Sequence, residues 1–310
     1  MSFLQKWNKS FTKSHHVKRY VSQSFFLFFL CVTLCQTLRN FVLHILKSYL
    51  QFLYQSKNEH GVHSPFVFLL VTKCFYDKKN YAEYSDLKEY RNSLLENKNT
   101  IEVTDFGAGS RVFKNNSRAI NLIAKNAGIS RKRAELLFRI TNYFQPETIL
   151  EIGTSLGLAT SALSLGNPKA KIITLEGCPN TLAEARANLS KMAEARANLK
   201  RFDLNNINSV ETEFYSYLKN CKLNTEHYQL IYFDGNHSKQ ATLDYFELLL
   251  PTITNETVWI FDDIHWSTDM EEAWEIIKQH PKVTVTIDTF QWGIVFFRQE
   301  QPKEHFVIRA

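Results

Sequence analysis

The chain has 310 residues, 44% of them hydrophobic and 22% charged, enough to bury a large core in one or two domains. Its net charge of +6 belongs to one arm: residues 1–60 hold eight Lys/Arg and a single acid, Glu59, leaving −1 for the remainder. A near-neutral body argues against a dedicated nucleic-acid binder, which presents a basic face. The five cysteines (31, 35, 74, 178, 221) are odd in number, scattered and without C-x-x-C, so free thiols in a reducing cytoplasm are expected rather than a disulfide framework.

In chain order, the first feature is the apolar run FFLFFLCVTLC at 25–35, preceded by Lys13, Lys18 and Arg19. It is too short to cross a bilayer unless the chain continues through Gln36, Arg39 and Asn40. No small-x-small cleavage site follows Cys35. Three readings stay open: a loose extension, peripheral membrane contact through residues 20–56, and an export signal. Leu38, Phe41, Val42, Ile45, Leu46, Tyr49, Leu50 and Leu53 recur at three- and four-residue steps, which predicts an amphipathic helix over roughly 36–56. Residues 1–56 thus form a basic, apolar extension, and 57–129 a helical cover segment. In the segment HGVHSPF (60–66), His60 and His63 flank Gly61 as turn-formers or as cover for a ligand.

From residue 130 onward strand and helix signals alternate. Ser130 is a candidate N-cap for a helix over 131–144, stopped by Pro146. Strand-like runs follow at 148–152, 171–175, 228–233 and 257–261, with a weaker one near 208–214; helical stretches lie at about 156–165, 181–200, 238–250 and 268–280. VTVTID (283–288) and WGIVFF (292–297) are spaced to pair as a hairpin. The alternation implies an α/β domain over 130–310, with a mostly parallel sheet covered on both faces and an antiparallel pair at its edge. The heptapeptide AEARANL occurs twice, ten residues apart, around 183–199. Ten residues leave the second copy about 80° short of the first copy's helical face, so the two cannot bury the same stripe.

Two glycine loops compete as a nucleotide site. VTDFGAGS (103–110) is followed by no acid until Glu135 and by no strand-like run, so it reads as a glycine turn near the site. ILEIGTSLGLAT (149–160) ends a strand, opens a turn with Gly153 and Gly157, starts a helix with small residues, and is followed 23 residues after Gly153 by Glu176 at the end of KIITL. Strand, glycine turn, helix and a spaced acid for ribose hydroxyls are the parts of a Rossmann-like site. The spacing E-x-G-x-x-x-G disfavours NAD, whose pyrophosphate asks for G-x-G-x-x-G.

The segments EIGTSLGLAT, TLEG, YFDGNH and FDDIHW together resemble class I S-adenosylmethionine-dependent methyltransferases. The likeness covers about 130–298 and is greatest toward the O-methyltransferase branch of catechol and metal-dependent sugar O-methyltransferases. HGVHSPF resembles a segment preceding this domain in bacterial relatives of unassigned substrate. The resemblance implies a Rossmann-like, doubly wound sheet of seven strands with the last antiparallel, and S-adenosylmethionine as cofactor. It implies that Glu151, Gly153, Thr154 and Gly157 line the methionine end, that Glu176 and Gly177 hold the ribose side, and that Asp234 borders the same site.

Two strands end in acids, YQLIYF at Asp234 and TVWIF at Asp262 and Asp263. Three carboxylates at one rim repel, and a divalent cation such as Mg²⁺ would relieve them while acidifying a substrate hydroxyl. In metal-dependent relatives the matching positions are ligands. Asn236 departs from the pattern of sugar-modifying relatives, which often carry an acid there, leaving His237 or His265 as base. Capping roles for Asp262 or Asp263 are the plainer alternative. Trp266, Phe290 and Trp292 are read as pocket wall or core, and Cys178 as a neighbour of the adenine site.

The expected function is methyl transfer to a small-molecule oxygen, without nucleic acid, by a cytoplasmic protein that a homodimer or a membrane surface would also suit. The rivals are another nucleotide-dependent transferase on the same sheet, such as aminopropyl transfer, and a catalytically idle module tethered to a membrane.

Overall fold

The computed structural model describes residues 36–104, 115–197, 206–224 and 227–310. DFGAGS, the apolar run at 25–35 and the later part of the second AEARANL copy lie outside them. Two compact units divide the chain, Met1–Gln51 and Phe52–Ala310. The described part of the first belongs to helix α1 (Gln36–Gln55), close to the span expected from periodicity.

The second unit is built on one eight-stranded sheet. Its strands are β3 (Thr148–Ile152), β4 (Lys171–Glu176), β5 (Ile207–Glu211), β6 (Leu230–Phe233), β7 (Val258–Asp262), β8 (Val285–Asp288), β9 (Trp292–Phe296) and β10 (Glu304–Val307). Their spatial order is β10-β8-β9-β7-β6-β3-β4-β5. β3, β6 and β7 are buried on both faces and dominated by apolar residues, as expected of parallel strands covered by helices. β9 runs antiparallel to both β7 and β8. The expected hairpin is therefore present but does not form the edge: β9 inserts inside the sheet, and β10, an eighth strand beyond the seven expected, pairs parallel with β8.

Alternate residues feed two cores. Ile149, Tyr232, Ile260 and Ile294 pack on one face with Leu137, Phe138, Leu158 and Leu163. Those last four come from α5 (Arg131–Phe144) and α6 (Leu158–Gly166). Leu150, Ile231, Trp259 and Val295 face the other way. They meet Leu218 of α8 (Phe214–Asn224), Tyr245 and Phe246 of α9 (Lys239–Leu249), and Trp274 and Ile277 of α10 (Thr268–Gln279). Every residue of α6 is buried, and its small side chains Ala159, Ser161, Ala162 and Ser164 let it lie between α5 and the sheet. Helix α7 (Pro179–Ala197) buries Leu182, Ala185, Leu189 and Met192. This stripe runs past the first AEARANL copy, whereas Glu194 of the second copy is exposed.

The cover segment contains α2 (Pro65–Leu70), α3 (Glu83–Glu96), α4 (Ile120–Asn126) and a short antiparallel pair, β1 (Thr100–Glu102) and β2 (Ser117–Ala119). The strand pair corrects the expectation of a purely helical interval. HGVHSPF is a helix start: the Ser64 side chain caps α2 by accepting from Val67 N–H, and Pro65 occupies the first turn. His60 and His63 are both exposed.

Candidate active site

Strand order reverses between β3 and β6. The chain travels outward through β4 and β5 on one side and through β7 on the other. In open α/β sheets this switch point leaves a crevice beyond the carboxyl ends of the two central strands. The backbone there is unusual. Gly153 (φ 104°), Ser155 (47°) and Gly157 (77°) follow β3, Asn236 (54°) follows β6, and Asp263 (54°) follows β7. Left-handed non-glycine residues cost energy and cluster where a site dictates the backbone. At Gly153 the freedom is required twice over, because a Cβ there would also collide with the carbonyl of Asp234. The turns after β3 and β6 thus cross in direct contact.

The crevice is a cavity of about 280 Å³. Gly153, Ser155, Glu176, Gly177, Asp234 and Asn236 border it, joined by Thr212, Glu213, Phe214 and Tyr245. Val103, Thr104, Arg118, Ile123 and Ala127 close it from the cover segment. Glu176 stands opposite the glycine turn: its Oε2 accepts Ser155 N–H at 2.9 Å and its Oε1 accepts Cys178 N–H at 2.9 Å. The carboxylate is thereby fixed facing the turn. Of the residues expected on the cofactor side, Gly153, Glu176, Gly177 and Asp234 border the cavity.

Glu151, Thr154 and Gly157 do not border it. Glu151 lies wholly buried beneath the turn, its Oε2 accepting from Thr160 (2.5 Å) and Thr174 (2.6 Å). Its Oε1 is buried without a hydrogen-bond partner, and burial lifts the carboxyl to about 7. Thr154 is buried and its hydroxyl meets that of Thr174 at 2.5 Å. Gly157 caps α6, and a side chain there would press on the Tyr90 hydroxyl and Leu189.

The carboxylates at the ends of β6 and β7 do converge, but with an occupant that sequence reasoning missed. Arg133, in the first turn of α5, sets its Nη1 2.9 Å from Oδ1 and 3.3 Å from Oδ2 of Asp262, and 3.9 Å from Oδ1 of Asp263. Asp262 also accepts from the Tyr232 hydroxyl (3.0 Å) and from Asp263 N–H (2.8 Å). Its carboxylate is therefore saturated. Among the described residues no three carboxylate, imidazole or thiol groups are disposed as a metal-ligand set. The expected metal triad of Asp234, Asp262 and Asp263 does not fit this arrangement, since a guanidinium sits where the cation would. Arg133 was legible only as one more basic residue of a helical stretch; its partner is 129 positions away.

His237 lies 3.6 Å from Asp234 through Nε2. Burial opposes its charge, but the Asp234 bond and the nearby Asp263 charge raise it to about 9. Burial and the neighbouring Asp262 raise Asp263 to about 6. His265 corrects the other base expectation. Nδ1 is held by Glu271 at 2.7 Å and Nε2 by Asp288 at 2.9 Å, with the ring stacked on Phe290. Burial works against the charge and the two carboxylates override it, to about 9. Both nitrogens are committed, so the ring offers no lone pair to a substrate. Trp292 is buried core against Tyr232. Cys178 is buried beside β1, its sulfur accepting Thr104 N–H at 3.3 Å.

Comparison with known proteins bears on this crevice. A family profile described as "Methyltransferase domain" matches residues 150–264, from β3 through the residues following β7. No curated protein matches the chain. Among solved structures, the S-adenosylhomocysteine-bound Podospora anserina methyltransferase PaMTH1 is similar at 15% identity, over 77% of this chain and 97% of its own, with a TM-score of 0.49. The O-methyltransferase from Bacillus cereus in complex with S-adenosylhomocysteine is similar at 17% identity, 72% and 94% coverage and a TM-score of 0.46. The O-methyltransferase TomG from Streptomyces achromogenes follows at 13%, 74% and 95%, and 0.48. Residues 150–264, which span the strands whose carboxyl ends build the crevice, thus match a methyltransferase-domain profile.

Proposed function

We propose that this domain methylates an oxygen of a small molecule held beside Asp234 and Asp263, at the rim of the crevice. The observation carrying the reading is the pairing of a donor-sized crevice with titratable groups at its β6 end. Glu176, Glu213 and Asp234 line the cavity, a setting that suits a sulfonium and an ammonium, and Arg118 is among the cover-segment residues that close it. When bound, S-adenosylmethionine supplies the electrophilic methyl group. Glu176 accepts the ribose hydroxyls, Gly153 and Ser155 let the backbone approach, and Gly177 leaves room beside them. Glu151 and Thr154 act from beneath, holding the turn through Thr160 and Thr174. Catalysis rests mainly on holding the acceptor in line with the methyl group. The acceptor's proton passes to the Asp234 carboxylate, which His237 flanks at 3.6 Å.

The test couples calorimetry to a screen of hydroxyl-bearing metabolites with labelled cofactor. S-Adenosylhomocysteine binds in the micromolar range and His237→Asn keeps that affinity while losing at least tenfold in turnover. Transfer to nitrogen or carbon acceptors only would overturn the oxygen assignment.

A peripheral membrane role for α1 rests on a different observation. Leu43, Leu46 and Leu50 lie on one stripe of the helix, each 40–58% exposed. Among the described residues no helix is long and apolar enough to cross a membrane. Co-sedimentation of the full chain with anionic vesicles, reduced by Leu46→Glu with Leu50→Glu, tests this reading.

A further inference from the structure

The acidic rim carries more negative charge than one would leave unpaired. Asp262, at the end of β7, is 4% exposed as a side chain, and Asp263 and Asp234 lie next to it. Burying such charges is costly unless each is paired or hydrogen-bonded. A metal ion is one solution; a fixed organic cation is another. Here Arg133 reaches the cluster from the first turn of α5, itself only 24% exposed, and spans both Asp262 oxygens from one nitrogen. Its position is set by the fold: Ser130 caps the helix by accepting Arg133 N–H, and Tyr232 fixes the far oxygen of Asp262. Among the described residues all hydrogen bonds of the guanidinium run through Nη1, so its other nitrogens keep their donors.

We infer that Arg133 is the resident cation of this site, standing where a divalent metal would neutralise Asp262 and Asp263, so that the acceptor oxygen is handled without a metal ion. The charge count favours this. One guanidinium offsets Asp262 and shields Asp263, and a dication placed on the same oxygens would meet a full positive charge within about 4 Å, a repulsion of several kcal/mol at a protein-like effective dielectric. Arginine keeps its charge at every working pH, so the neutralisation does not depend on ion supply. The inference rests on the rim as the acceptor's place, yet its test needs no acceptor.

The experiment is a Mn²⁺ titration followed by electron paramagnetic resonance, on the full chain loaded with S-adenosylhomocysteine. Wild type is expected to take up no stoichiometric Mn²⁺ below 1 mM on the order of magnitude set by weak surface carboxylates. Arg133→Met uncovers the cluster and gains a site at least tenfold tighter, which Asp262→Asn in the same background removes. Arg133→Lys retains the cation and stays without the site, and Arg133→Gln serves in place of Arg133→Met if that variant does not fold. Stoichiometric Mn²⁺ on wild type that Asp262→Asn abolishes would overturn the inference. So would a folded Arg133→Met that gains no site, or an Arg133→Lys that gains one. Loss of S-adenosylhomocysteine binding by wild type would instead count against the crevice as the cofactor's place, a result the Mn²⁺ signal reports separately.

Discussion

Glu176 and Ser155 face each other across the crevice, the Ser155 N–H donating to Glu176 Oε2 at 2.9 Å, although Glu176 ends β4 and Ser155 lies in the turn after β3. The carboxylate therefore pins a left-handed residue from across the crevice. Glu176→Ala is expected to weaken S-adenosylhomocysteine binding by roughly tenfold to a hundredfold, as charge-assisted hydrogen bonds are worth about 1.5–3 kcal/mol. Isothermal titration measures it. A loss below threefold would remove Glu176 from the ribose.

Gly153→Ala places a methyl group against the Asp234 carbonyl at a φ of 104°, where an L side chain is already strained. The expected cost is about 3 kcal/mol or more, combining backbone strain with an enforced clash. Chemical denaturation should show it as a lowered midpoint, together with lost cofactor binding. Wild-type stability would mean that the two turns can separate freely.

His265 gives the protein a pH-dependent contribution. Its folded value is raised to about 9 from an ordinary 6.5, so the folded state holds the proton more tightly. The stabilisation is whole below pH 6.5 and is lost as pH rises through 9. Its ceiling is about 3 kcal/mol. Melting temperature should fall between pH 6.5 and 9, and His265→Gln should flatten that slope while lowering stability at pH 6.

Glu151 has the opposite chemistry and the same sign. Burial raises its acid to about 7 from an ordinary 4.5, so above pH 4.5 the unfolded chain ionises first and the folded state falls behind, until the penalty levels off above pH 7. Glu151→Gln should gain on wild type by up to about 3 kcal/mol between pH 4.5 and 8. Equal pH profiles for the two proteins would show that the carboxyl is ionised in the fold through some route other than Thr160 and Thr174.

Much of this architecture could be read before any coordinates. β3, β6 and β7 are dominated by apolar residues, as buried parallel strands are, even with Glu151 inside β3 and Asp262 ending β7. The 23-residue step from Gly153 to Glu176 reports a strand–helix–strand unit, so the two ends of the crevice were legible from spacing. β10 escaped because two of its four residues, Glu304 and His305, are exposed and no alternation develops in so short a strand. β1 and β2 escaped for the same reason, at three residues each. The acidic rim was legible but its partner was not. Charges separated by more than a hundred positions leave no local pattern, so Asp262 suggested a metal while Arg133 suggested a solvated helix face. His265 failed as a base because Asp288 lies beyond an intervening helix, and nothing near residue 265 announces it.

The eighth strand has a further meaning for how this protein is made. Lys57 N–H donates to the Val307 carbonyl at 2.8 Å, and the Tyr76 hydroxyl to the Arg309 carbonyl at 2.8 Å, so these residues are tied to ones made 250 and 233 positions later. During synthesis the segment around 57–76 finds its seat on α5, where Arg139 donates to the Cys74 and Phe75 carbonyls, well before its two ties to residues 307 and 309 form with the docking of β10 on β8.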